Sequence, residues 1–298
     1  MEIIYQPKTL EWATTPKICN TNNHRIENKE PNYHLLKDID DKTYANLVSQ
    51  TNKNIWVKNF PDPPNSIIIN LTMNQCKILL EASKIGIITN RRSTIHKEEL
   101  DEIEHHIHNH LPINFAKSFI RLNEASPKDG KYGCGPLLSA KEILISLTTS
   151  LRAYRSFRSA IELVHPETLY IIPWNDNWDE TLEFRVFIHN KRLTCLSQYI
   201  WSKDLGWNYD TISNISPSII SFCNNDVIPK VQIDSFVVDI IIVPDNNDNS
   251  KYSIQVIELN SFGAELASGS ALFHWLNDYD IMYGSHSNLI YVRYIDKN

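Results

Sequence analysis

No stretch of this chain is apolar for long enough to cross a membrane. The longest apolar run, around Phe236–Val243, falls far short of the roughly 20 residues a bilayer helix requires and carries Asp239 inside it. No secretory signal is expected either: MEIIYQPKTLEW has neither a basic opening nor an apolar block after it. There is no CxxC pair. Cys19, Cys76, Cys134, Cys195 and Cys223 form an odd, scattered set, expected to remain free thiols in a reducing, cytoplasmic compartment. Basic charge is not in surplus. A net charge of −6 argues against a dominant nucleic-acid surface, while a local basic groove stays compatible with it. Internal repeats are absent. What is there is 298 residues, 42% of them apolar, which is long enough for one large domain or two moderate ones with a packed core.

The most informative stretch runs from Phe236 to Gly263. FVVDIIIV and KYSIQVIELNSFG flank the polar segment PDNNDNS, the pattern of a β-hairpin with a long turn. Asp239, Glu258 and Asn260 break the apolar pattern. Glu258 and Asn260 share a strand face, and a hairpin symmetric about Asp248–Asn249 sets Asp239 opposite Glu258. Two carboxylates so close repel unless one is protonated or a cation lies between them. Asp, Glu and an Asn amide form an all-oxygen set suited to a hard cation such as Mg²⁺. A hairpin with polar residues on a solvated face gives the same pattern.

Residues 1–65 are polar and irregular, with KNFPDPPNS as a linker or surface loop. SIIINLT (66–72) reads as a strand. A helix capped by Thr72 or Asn74 follows, with Gly86 as its stop, and a second fits KEELDEIEHHIHNHL with Leu100, Ile103 and Ile107 at helical spacing. His105, His106, His108 and His110 at its tail suit either a metal or, more simply, a negative helix end. Ser118–Leu122 reads as a strand with Arg121 and Asn123 on one face of its end. Gly130, Gly133 and Gly135 make a flexible loop whose amides can approach an anion. One helix is expected from Ser139 through Phe157, with Leu138, Ile143, Leu144 and Leu147 in the core and Arg152, Arg155 and Arg158 at a solvated basic end. ETLYIIPW (167–174) is an apolar strand ending in Pro173 and Trp174, where unpaired backbone groups suit a purine edge. Residues 181–201 read as a hairpin about His189–Lys191. Arg185 emerges there beside Glu183, an expensive place for a guanidinium unless it meets a carboxylate or a phosphate.

In order along the chain, SFIRLNEASPKDG, LEFRVFIHNKRLTCLSQ, FVVDI, VIELNSFG and SALFHW resemble the D123 family, also called the cell division cycle protein 123 family. Its pattern is roughly a KLNWSAPRDA-like segment, an EFR…ISQR hairpin, a DVY- or FDIY-like strand, and LIDFNPFG followed by LFTW. The resemblance covers about residues 115–275. It implies an α+β chain of ATP-grasp fold, two α+β lobes with the nucleotide cleft between antiparallel sheets. The implied division is a weakly matched N-terminal region (1–114), a smaller lobe with the glycine loop (115–172) and a larger lobe with the Mg²⁺-binding hairpin (173–298).

Residue by residue, Asp239, Glu258 and Asn260 match the family's metal-binding positions. Arg121 stands where the family has a nucleotide-binding Lys. Asn123, Ser126 and Pro127 match the turn near the phosphates, Ile172, Pro173 and Trp174 the strand lining the adenine, and Glu183 and Arg185 the EFR pair. Two positions depart: the family's Trp is Glu124 here, and its basic residue after ISQ is Tyr199. The implied ligands are ATP and Mg²⁺. The implied role is that of an assembly chaperone binding the gamma subunit of translation initiation factor 2, or another protein partner. The alternative is an ATP-grasp ligase or a phosphoryl or nucleotidyl transferase acting on an unknown acceptor.

Overall fold

The computed structural model describes residues 2–16, 18–20, 33–36, 38–245, 248–266, 268–286 and 288–296. The chain forms two compact units, Met1–Thr51 with Trp178–Asn298, and Asn52–Asn177. The expected N-terminal segment 1–114 is therefore divided between the two.

The first unit opens with β1 (Glu2–Lys8), α1 (Leu10–Thr14) and α2 (Asp41–Ser49). Both helices start where a side-chain oxygen takes an orphan amide: Thr9 Oγ1 accepts from Trp12 N, and Asp40 Oδ1 from Thr43 N.

The second unit follows as α3 (Lys53–Trp56), β2 (Ile67–Leu71), α4 (Met73–Thr89), α5 (Lys97–His110), β3 (Ser118–Arg121), α6 (Ala140–Thr149), α7 (Leu151–Glu162) and β4 (Glu167–Pro173). Its sheet has the order β2-β4-β3, antiparallel throughout. Thr72 and Gln75 form a reciprocal capping box at the start of α4. Gly86 does not stop that helix, as the sequence suggested. The helix continues to Asn90, whose left-handed backbone ends it. Gly86 is instead a crossing point: a Cβ there would collide with the Thr148 carbonyl oxygen on α6. Leu79, Leu100, Ile103 and Ile107 join Ile143, Leu144 and Leu147 in one core.

The single helix expected after Ser139 is two. Ser150 adopts extended backbone between α6 and α7, and its Oγ accepts from Ala153 N. Asp129 secures the break by accepting from Ser150 Oγ at 2.5 Å and Leu151 N at 3.0 Å. The acid that supports this cap thus lies 21 residues away in sequence, where no local pattern reveals it. Leu138, expected in the core, is exposed because it precedes the helix. The glycine loop differs from expectation as well. Its amides serve internal turns: Gly130 N donates to Pro127 O, Gly133 N to Gly130 O, and Gly135 N to Tyr132 O.

The chain then returns to the first unit as β5 (Glu183–His189), β6 (Arg192–Gln198), α8 (Tyr209–Phe222), β7 (Phe236–Asp245), β8 (Asp248–Ser261), α9 (Tyr279–Met282) and β9 (Leu289–Ile295). The β5–β6 turn falls at Asn190 and Lys191, both with positive φ, as a tight hairpin requires. The sheet order is β1-β9-β6-β5-β7-β8. It is mixed rather than purely antiparallel, since β9 runs parallel to both β1 and β6.

One row of paired residues crosses this whole sheet: Gln6, Arg293, Ser197, Arg185, Asp239 and Glu258, on β1, β9, β6, β5, β7 and β8 in turn. Directly paired residues share a face, so the row is a polar seam. The segment after β8 supplies partners along it. The Gly269 carbonyl accepts from Arg185, the Leu272 carbonyl from Arg293, and Asp278 holds Arg293 with two bonds of 2.6 Å. Beside the seam, Phe187, Val237, Phe273 and Trp275 form an apolar core.

Gly86→Ala is expected to destabilise the protein by about 1–3 kcal/mol, because the added methyl overpacks a backbone crossing. Urea unfolding measures this, and a change below about 0.5 kcal/mol would contradict the crossing.

Candidate functional site

The hairpin argument from sequence holds in its main point: Asp239 pairs with Glu258 across β7 and β8. The pairing brings Asn260 in beside both, and its amide donates to Asp239 Oδ2 at 3.1 Å and Glu258 Oε1 at 3.2 Å. Arg185 meets Asp239 from the other side. Nε donates to Oδ1 and Nη2 to Oδ2, each at 2.7 Å, a bidentate pair with both side chains buried. The anion that Arg185 required is therefore Asp239, its direct neighbour in the β5–β7 ladder.

Two further groups hold the guanidinium. Nη1 donates to the Gly269 carbonyl at 2.5 Å, and the Tyr199 ring lies 4.9 Å from the guanidinium carbon. A Cβ on residue 269 would press on Asn20 Oδ1 and Arg185 Nη1, so glycine is what allows this close approach. Burial alone would lower the Arg185 pKa. Asp239 reverses that and holds it above its ordinary value. Tyr199, which replaces a basic residue of the family pattern, thus presents a neutral aromatic face to a charge already in place. Arg185 and Tyr199 also line a cavity of about 220 Å³ with Asn20, Trp201 and Ala271.

Glu183, the other half of the EFR pair, accepts from Trp178 Nε1 at 2.7 Å, and its carbonyl takes Tyr199 N. Asp239 and Glu258 offer carboxylate oxygens, and Asn260 an amide whose oxygen would join them on rotation; a carboxylate has about four acceptor sites, so hydrogen bonds already present do not exhaust the pair. That donor chemistry fits a hard divalent cation. Among the described residues no group of three or more His, Cys, Asp or Glu is arranged to hold a metal. The candidate set remains the two carboxylates and one amide that the sequence pattern pointed to. The histidines of α5 are not one: His106 and His110 pack ring against ring, and His110 Nδ1 meets the His106 carbonyl.

The remaining sequence-predicted residues lie in the second unit. Arg121, at the end of β3, is buried with its guanidinium 5.6 Å from the Trp56 ring, and Nε donates to the Leu122 carbonyl. Asn123 is pinned on every side. Its N–H donates to Glu167 Oε1, its amide to the Pro166 carbonyl, and its Oδ1 accepts from Tyr170. Ser126 is buried with its hydroxyl unpartnered, while its carbonyl takes Arg152 Nε at 2.8 Å. The Pro127 carbonyl takes Gly130 N. Ile172 and Pro173 pair with Phe119 and Ser118 on β3, beyond the last β2 partner at Ile171. At the strand end, where unpaired backbone groups were expected, the Trp174 N–H donates to the Lys117 carbonyl.

Sequence reasoning missed Lys53 and Glu167. Lys53 is buried, paired with Asp62 at 2.6 Å and set 4.6 Å from the Trp56 ring. Glu167 starts β4 and accepts from Asn123 N, Thr168 N and Ser156 Oγ. A carboxylate opening an apolar strand was the one available signal. Glu124, which stands where the family has Trp, is half-buried near Arg152 and Arg155. Burial raises its pKa, and a Ser159 hydrogen bond and the two arginines pull it back.

The D123 family model matches residues 83–298. The chain belongs to the D123 family. Two solved structures support the same fold. Cdc123 from Schizosaccharomyces pombe superposes with a TM-score of 0.59 and 19% identity, over 85% of this chain and 98% of that one. A C-terminally truncated form of that protein gives 0.60 and 20% over the same shares. Comparison with curated protein sequences gives no match. The chain is thus a Cdc123-like protein, and its α+β architecture with two sheets agrees with the class implied for the D123 family.

Glu167 generates a pH dependence. Burial pushes its pKa up to about 7, against three hydrogen bonds that favour the carboxylate. The folded pKa lies above the unfolded one, so the folded state binds more protons between about pH 4.5 and 7. Stability is then expected to fall across that window by up to about 3 kcal/mol as pH rises. Urea unfolding against pH should show this decline in the wild type and its loss in Glu167→Gln. A parallel decline in the variant would assign the effect to another group.

Proposed function

We propose that this chain binds ATP with Mg²⁺ and uses the nucleotide-bound form to engage a protein partner. In the D123 family that partner is the gamma subunit of translation initiation factor 2, and the setting is the cytoplasm. The observation that carries the reading is the cluster on β5, β7 and β8. Two buried carboxylates and an amide stand beside one guanidinium, at the positions where the D123 pattern has its metal-binding residues. Asp239, Glu258 and Asn260 would hold the cation, and Arg185 stands next to them as the nearest charge for phosphate oxygens. The cation would supply charge neutralisation for those oxygens.

Arg121, Asn123, Ser126 and Pro127 belong to the same proposal as nucleotide-binding residues, as do Ile172, Pro173, Trp174 and Glu183. Smaller support comes from the second unit, where Ser126 keeps a buried hydroxyl with no hydrogen-bond partner. A covalent role for the four buried cysteines, Cys19, Cys76, Cys195 and Cys223, is disfavoured. Burial pushes Cys19 up to about 11 and Cys76 up to about 12, and raises Cys195 and Cys223 further, so none of these is a thiolate at neutral pH. No helix among the described residues is long and apolar enough to cross a membrane.

Asp239→Ala looks like the direct test of the cation site. The bond of Asp239 to Arg185 rules that out, because the substitution would strand a buried guanidinium and destabilise the fold. Glu258→Gln is the better probe, since it leaves the Arg185–Asp239 pair intact. Wild type with ATP–Mg²⁺ at 100 times its Kd should gain about 2.7 kcal/mol of stability. Glu258→Gln should bind ATP–Mg²⁺ at least tenfold more weakly in calorimetry, with little change in unliganded stability. No stabilisation of the wild type by ATP–Mg²⁺ refutes the reading.

A further inference from the structure

Arg185 and a divalent cation compete for the same carboxylate. The guanidinium engages both oxygens of Asp239, each at 2.7 Å, in a site where both side chains are buried. A buried carboxylate pair needs positive charge, and among the described residues Arg185 supplies it to Asp239 directly. A metal at Asp239, Glu258 and Asn260 would bring two positive charges to the same point, a few ångströms from the guanidinium. Like charges at that range in a buried setting repel, and a metal that takes one oxygen of Asp239 displaces the guanidinium from its bidentate hold on both.

We infer that Arg185 is the resident counter-ion of the cation site, holding Asp239 while the site has no metal and releasing it when a cation arrives. The inference rests on the nucleotide reading for its destination, since the released guanidinium then faces phosphate oxygens. The surroundings suit a guanidinium with two positions. Its contact with Tyr199 is a ring face, which tolerates sliding better than a directional hydrogen bond does. The cavity that Arg185 lines with Tyr199, Trp201 and Asn20 is space beside the guanidinium. Asn260 can follow the exchange. Its Nδ2 now donates to Asp239 and Glu258, and rotation of the amide would turn its oxygen toward a cation between them.

A consequence is that metal and nucleotide bind with positive coupling. Metal alone must displace an ion pair with no new anion for Arg185, whereas metal with polyphosphate provides one. Each ligand then removes part of the cost of the other.

The test uses the full chain and Mn²⁺ alone, followed by electron paramagnetic resonance, with no nucleotide present. Arg185→Gln should bind Mn²⁺ at least tenfold more tightly than wild type, because the competing cation is gone. Equal or weaker Mn²⁺ binding in Arg185→Gln overturns the inference, since a purely structural arginine gives that result. Should the variant fail to fold, wild-type crystals grown with and without a non-hydrolysable ATP analogue and Mn²⁺ decide the matter. The Arg185–Asp239 pair should be closed without ligand and open with it. A pair that stays closed around bound metal and analogue overturns the inference while leaving nucleotide binding in place. Wild type that binds no ATP–Mg²⁺ overturns the nucleotide reading instead, and tighter Mn²⁺ binding by Arg185→Gln would then still establish the counter-ion.

Discussion

The buried ion pair between Arg185 and Asp239 is the constraint around which the larger sheet is arranged. Neither charge is tolerable alone at that depth, because desolvation of an ion costs several kcal/mol unless a partner and further hydrogen bonds offset it. The pair obtains its supplements from different parts of the chain. Gly269 provides a carbonyl, Asn260 an amide, and Tyr199 a ring face. Each of these positions is fixed by its own need. Residue 269 must be glycine-sized, Asn260 must share a face with Glu258, and Tyr199 is tied through its N–H to the Glu183 carbonyl.

The same logic extends along the seam. Arg293 repeats the arrangement on β9, with Asp278 as its bidentate partner and Gln6 on β1 taking its Nε. Ser197 stands between the two arginines, a small residue that separates like charges and meets the Leu272 N–H. Two arginines and two acids thus sit in one row of a six-stranded sheet. Only one neighbourhood in that row has an extra carboxylate, at Glu258, and it is there that a cation has chemical reason to bind. The proposed function depends on that asymmetry.

How much of this was legible beforehand follows from the range of each interaction. The Asp239–Glu258 pairing could be read from the hairpin pattern, although the strands close between Asp245 and Asp248 rather than about Asp248–Asn249, and two register shifts along the ladder set the pair opposite each other. The need of Arg185 for an anion could be read from strand alternation. Which anion could not, since β5 and β7 are separated by a helix and no local signal sets their register. The helix break at Ser150 escaped because Thr148, Thr149 and Ser150 interrupt the apolar pattern no more than small polar residues in a helix ordinarily do, and the acid that secures the break, Asp129, lies in a different loop. Gly86 was misread for a related reason. Glycine ends helices, but it also lets two of them touch, and only the partner at Thr148 distinguishes the cases. The glycine loop looked like an anion cradle until its amides proved to serve successive turns.

A double-mutant cycle on Arg185 and Asp239, read by urea unfolding, tests the central claim most directly. Arg185→Met and Asp239→Leu should each destabilise the protein by about 3–5 kcal/mol, since each leaves an uncompensated buried charge. The double variant removes both charges and should cost at least about 2 kcal/mol less than the sum of the two. Additivity within about 0.5 kcal/mol would mean the two residues act independently, and the account of the sheet built on their pairing would be wrong.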